Sequence, residues 1–204
     1  MSKNIDLKLF EKEISSSKSE ALMEIKKRAL DTLKETGIPN KSHENWKYTD
    51  ITRPIELVQK YLTNKKNEKE LNSNSSSTAV NEIDAHWINL SAFSLKSEFS
   101  INVEDVDISI SLLSTSNENF DIQINDPISC LNALLIKDVI KITIPKNSSI
   151  EKPLGIIWTN SPKQNDFCSN LRCIVDIEEN SNINLINIFQ NEISEEYFIN
   201  SVME

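Results

Sequence analysis

The spacing of apolar residues changes along the chain. In the first third, Leu22, Ile25, Ala29 and Leu33 recur three and four residues apart, which puts them on one face of a helix. Ser17 and Glu20 form an S-x-x-E pattern that predicts the start of this helix. Lys34 suits its C-terminal end, Gly37 can take a left-handed cap, and Pro39 blocks continuation. A second short helix is predicted near Pro54, with Leu57, Val58, Tyr61 and Leu62 as its apolar face. Residues 1–62 therefore read as a helical region.

Residues 63–80 are almost wholly polar, ending in a Ser/Asn run, and bury too little apolar area to offset ordering. They read as a flexible linker. Beyond residue 81 the period becomes two. Phe99, Ile101 and Val103 alternate with polar residues, as do Ile108, Ile110 and Leu112, then Phe120, Ile122 and Ile124. The same alternation returns in Ile140, Ile142 and Ile144, in Leu171, Cys173, Val175 and Ile177, and in Ile183, Leu185 and Phe189. Such alternation predicts strands with one face on a core. Only the stretch Cys130–Leu135 reads as helical there. Ile144–Ile150 and Ile177–Ile183 share the pattern I-x-x-N-S-x-I, in which Asn can replace Gly at positive φ. The fold class is mainly β with an N-terminal helical region. Residues 81–204 fit either stacked β-coils or a β-sandwich.

Composition removes several functions. A net charge of -9 over 204 residues disfavours a nucleic-acid binder. No run approaches the roughly 18 apolar residues of a membrane span, and Met1–Phe10 lacks the apolar core of a secretory signal, so a cytoplasmic location is expected. The only glycines are Gly37 and Gly155, so neither GxGxxG, nor GxxxxGK[ST], nor G-x-S-x-G can be written. Three cysteines, Cys130, Cys168 and Cys173, make no disulfide framework and fall short of a four-ligand cluster set.

Isolated candidates carry little chemistry. His43-Glu44 lacks a third ligand, and Trp46 and Tyr48 beside it read as packing residues. His86 has no nucleophile partner in a known motif. Cys173 lies in register with core positions, whereas Cys168 reads as part of a polar loop, where a thiol is more often reactive. Glu104-Asp105, Glu178-Glu179 and Glu195-Glu196 read as solvated turns rather than carboxylates set across a cleft. No residue is assigned as catalytic, cofactor-binding or metal-ligating, and no enzymatic activity is expected.

Three stretches together resemble a known family. Gly37-Ile-Pro and Glu44-Asn-Trp46-Lys-Tyr48-Thr-Asp50 resemble a signature near the front of SufD-type iron–sulfur cluster assembly proteins. Leu131-Asn132-Ala133-Leu134, Ile144-Pro145 and Lys152-Pro153-Leu154 resemble a later passage, and Arg172-Cys-Ile-Val with Tyr197-Phe-Ile-Asn200-Ser-Val a third. Asn187 stands where relatives often carry an acid, and turns use Asn and Ser where relatives often use Gly. The resemblance runs along nearly the whole chain but covers only the front half of the family's usual extent. It implies the beginning of a right-handed parallel β-helix and a non-catalytic scaffold role in a SufBCD complex, with a SufB-like paralogue and a SufC-like ABC ATPase as partners. The iron–sulfur cluster is implied for the complete complex, with none bound by residues 1–204. A stand-alone β-rich binding module and a β-helix carbohydrate-active enzyme are the alternatives. If the strand stack is left open, self-association or fraying is expected beyond about Ile183.

Overall fold

The structure is a computed structural model and describes residues 5–41, 44–64, 83–91, 99–113, 120–160, 168–191 and 198–204. The expected linker lies largely outside these residues. Helices are α1 (Leu9–Ser15), α2 (Glu20–Thr36), α3 (Thr52–Asn64) and α4 (Pro127–Leu135), with a short 3₁₀ turn at Glu44–Trp46. Strands are β1 (His86–Ser91), β2 (Phe99–Val103), β3 (Val106–Leu112), β4 (Ile140–Ile144), β5 (Leu154–Asn160), β6 (Cys168–Ile177), β7 (Leu185–Asn191) and β8 (Phe198–Met203). The fold thus mixes helices and strands. Among the described residues, no helix is long and apolar enough to cross a membrane.

Local chemistry explains the helix boundaries. The apolar face of α2 is buried at Leu22, Ile25, Ala29 and Leu33. Its cap is Ser19 rather than Ser17. The Ser19 backbone is extended, and its hydroxyl accepts from the Leu22 amide at 3.3 Å, whereas the Ser17 hydroxyl donates to the Glu13 carbonyl. Gly37, at φ 74°, ends the helix, its amide donating to the Leu33 carbonyl. Helix α4 opens on a capping box: the Asp126 carboxylate accepts from the Ile128 and Ser129 amides, and the Ser129 hydroxyl accepts from the Asp126 amide. Every residue from Ser129 to Leu135 is buried.

From β4 onward the chain moves back and forth between two sheets. One sheet has the order β1-β5-β7 and is parallel throughout. The other has the order β2-β3-β4-β6-β8. In it, β2 and β3 form an antiparallel hairpin and β3 runs antiparallel to β4, while β4, β6 and β8 are mutually parallel neighbours. The wholly parallel sheet departs from the antiparallel layers of an ordinary sandwich.

The two I-x-x-N-S-x-I turns lie directly on each other. Ile144 is in register with Ile177, and Ser149 bridges to Asn182. The Asn147 amide donates to the Glu179 carbonyl at 2.9 Å, and the Asn182 amide to the Ser148 carbonyl at 2.8 Å. Asn147 and Asn180 have φ of 59° and 58°, the left-handed region. The Asn180 Nδ2 donates to the Asn147 Oδ1 at 3.2 Å.

Two apolar cores result. One joins α1, α2, α3 and α4 with Ile122 and with Cys168, Ile174 and Phe198 from the back of β6 and β8. The other fills the space between the sheets with Ile88, Leu90, Ile108, Ile110, Ile142, Ile144, Ile156, Trp158, Leu171 and Cys173. The helices of the first third and the strands of the remainder therefore share a core through α4. Phe120–Ile124, expected as a strand, has no ladder partner. Side chains hold it instead: the Ile122 amide donates to the Asp121 carboxylate and the Gln123 amide to that of Glu204.

Candidate functional site

The most concentrated polar chemistry lies between α4 and the back of the larger sheet. Arg172 projects from β6 toward the helices and is only 1% exposed. Its Nε donates to Glu204 Oε1 at 2.7 Å, its Nη1 to Asn132 Oδ1 at 3.3 Å, and its Nη2 to the Gln123 carbonyl. Asn132 of α4, fully buried, donates from Nδ2 to the carbonyls of Leu171 and Asn200 at 2.9 and 2.8 Å. Asn200 of β8 donates to the Ile128 carbonyl at 3.0 Å. A buried guanidinium is tolerable only when its charge is paired and its donors are engaged. Here all three nitrogens of Arg172 are engaged, so the group is architecture: it ties α4, β6, β8 and the 120s segment together.

Asn132, Arg172 and Asn200 fall in the sequence passages quoted above, but their convergence was not legible. The available signal was local. Each is a polar residue inside an apolar run, where burial demands a partner.

The three thiols are buried. Cys168 is the first residue of β6 and only 2% exposed, which corrects its expected place in a polar loop. Burial pushes the Cys130 thiol up to about 11, with a smaller contribution from Asp126, and the Cys173 thiol up to about 12. Burial therefore favours the neutral thiol of both. Among the described residues, no group of three or more His, Cys, Asp and Glu side chains is arranged to hold a metal ion.

His86 is satisfied by a carboxylate. Glu104 and Asp105 form the two-residue tip of the β2–β3 hairpin, with φ of 49° and 63°. Glu104 Oε1 lies 2.7 Å from His86 Nε2, and the same carboxylate accepts the Glu151 amide at 2.7 Å and the Lys152 amide at 3.2 Å. These bonds, the one from His86 foremost, hold its carboxyl down at about 2. The Glu178 carboxylate likewise accepts the Lys146 amide, at 3.0 Å. Glu195-Glu196 and His43 lie outside the described residues.

The passage around Trp46 divides its labour. Trp46 packs against the helical core, while Tyr48 is 91% exposed with the Lys47 ammonium 5.5 Å from its ring centre. Asp50 accepts the Thr52 amide at the start of α3 and pairs with Lys41 at 3.2 Å. The Thr52 bond, with help from Lys41, lowers its carboxyl to about 2. Asn187, the departure noted in sequence, accepts from Trp158 Nε1 at 3.0 Å, a role that needs only an oxygen acceptor.

This arrangement of helices ahead of alternating strands meets an independent finding. The family model described as SufBD protein N-terminal region matches residues 5–156. The chain belongs to the SufBD family. No curated protein matches it. For a SufBD protein the match spans α1 to the start of β5, so it takes in the helical layer, α4 and the first strands of both sheets. Arg172 and Asn200 lie beyond it. The SufBD family is associated with iron–sulfur cluster assembly.

Proposed function

We propose that this chain is the N-terminal part of a SufD-type, non-catalytic scaffold subunit that works in the cytoplasm within a SufBCD complex. The family match over residues 5–156 carries the reading. Two further observations support it. The polar residues with the most developed geometry are engaged with one another, and the buried Cys130 and Cys173 thiols are held protonated. Both suit a subunit that positions partners better than one that performs chemistry.

The strand region is read as the start of a right-handed parallel β-helix. Support comes from the alternation of strands between two sheets, the parallel pairs β4/β6, β5/β7 and β6/β8, and the stacked Asn-Ser turns. The partners are a SufB-like paralogue and a SufC-like ABC ATPase, with the nascent cluster as cargo of the complex.

Affinity purification of the tagged protein from its native host, under anaerobic conditions, tests the reading. A SufC-like ATPase and a SufB-like paralogue are expected in stoichiometric amounts. Recovery of the protein alone, or with a SufC-like ATPase and no paralogue, overturns the SufD-type assignment.

A further inference from the structure

The Glu104 carboxylate is held by groups remote from it in the chain, unlike the local helix cap made by Asp126. Two consecutive amides, of Glu151 and Lys152, point at it, and His86 approaches from a third direction. Successive backbone N–H groups facing one point make a small anion-binding concavity. The chain fills that concavity with its own side chain. The Lys152 ammonium is tied to Asp84 at 2.8 Å, so it reinforces the positive surroundings without closing on Glu104.

The partners of Glu104 matter because of where they sit. The β2–β3 hairpin belongs to the larger sheet. His86 begins β1 of the other sheet, and Glu151 and Lys152 belong to the crossing that leads into β5 of that sheet. The His86 amide donates to the Pro153 carbonyl, so β1 and the crossing are already joined. One carboxylate therefore spans the gap between the sheets. Directly behind it, Val103 is buried in the inter-sheet core, and Ile101 and Val106 pack against that core.

We propose that Glu104 is a clasp that holds the β2–β3 hairpin across the gap between the two sheets, closing this end of their shared interior against water. The clasp acts through an anion seated in an amide nest, not through bulk. This tie adds to the apolar packing of the hairpin against the smaller sheet, so loss of the carboxylate loosens the hairpin and β1 while leaving the helical layer intact.

Amide hydrogen exchange on the full chain tests this in Glu104→Ala and in the near-isosteric Glu104→Gln. In Glu104→Ala, amides of β1, β2 and β3 are expected to exchange about 10-fold faster, with α2 and α4 unchanged. Glu104→Gln, which keeps an acceptor but loses the charge, is expected to fall between. Exchange that stays at the wild-type rate, or acceleration shared equally by α2, would each overturn the proposal.

Discussion

The two apolar cores are built on opposite faces of the same strand, β6, and are organised by different means. Toward the helices, Cys168 and Ile174 join a core that also contains the buried Arg172, Asn132 and Asn200 network. Toward the other sheet, Leu171 and Cys173 enter an interior of aliphatic side chains and Trp158. The difference follows from the elements being joined. Strand register is already specified by period-two alternation and by the ladder, since a one-residue slip would turn every core side chain outward. A helix lying on a sheet has no such ladder, and α4 is buried on all sides from Ser129 to Leu135. Directed hydrogen bonds from Asn132 supply the orientation that packing alone leaves open.

The strongest way to break this contrast is to remove Arg172. Arg172→Ala takes the guanidinium away from Glu204 Oε1 and Asn132 Oδ1, and a loss of about 3–5 kcal/mol is expected in urea unfolding. A double change, Arg172→Met with Glu204→Gln, sharpens it. Most of that stability should return, while the near-ultraviolet circular dichroism and the α4 amide protection should show a less fixed helix. Full recovery of both would mean the polar network does not orient α4.

On the other face, Ile156→Ala opens a cavity in the inter-sheet core and should cost about 2–5 kcal/mol. Protection is expected to fall first in β5 and its neighbours β1 and β7, not in α2. An equal loss everywhere would merge the two cores into one.

Asn180→Ala places a Cβ-bearing residue without a local hydrogen bond at φ 58°, and about 1–2 kcal/mol should be lost. Asn180→Gly, which takes that conformation freely, should unfold close to the wild type. If Ala and Gly behave alike, the left-handed turn is not what stacks Ile177–Ile183 on Ile144–Ile150.

The smallest effect concerns acid. Glu104 and Asp50, on the sheet and helix sides respectively, both have carboxyls lowered to about 2. A lowered carboxyl stabilises the fold above its ordinary value, near pH 4, and that contribution fades as the pH falls toward 2. The stability gap between wild type and Glu104→Gln should therefore shrink between pH 4 and 2. A gap that widens on acidification would reverse the sign.

The sequence made some of this legible and hid the rest for physical reasons. Helix α2, its glycine stop, and strands β2, β3 and β4 stand out because each buries one face and wets the other, and β6 shows the same alternation at Leu171, Cys173, Val175 and Ile177 although both of its faces are covered. Strand β5 does not, because Leu154–Trp158 is buried on both faces and shows no alternation. Phe120–Ile124 errs in the opposite sense. Alternation reports which side is covered, not whether a neighbouring edge is free to pair, and here Asp121 and Glu204 take the amides a strand would have satisfied. The Arg172 network was hidden because its members lie 40 and 28 residues apart in the chain, from Asn132 to Arg172 and from Arg172 to Asn200.

The buried thiols give the molecule a set of internal clocks. Cys130 and Cys168 lie in the helix-side core, and Cys173 lies between the sheets. Each can meet an alkylating reagent only when its own surroundings open. The rate at which each sulfur is labelled therefore times the opening of one core, and the order in which Cys168 and Cys173 react tells which face of β6 lets go first.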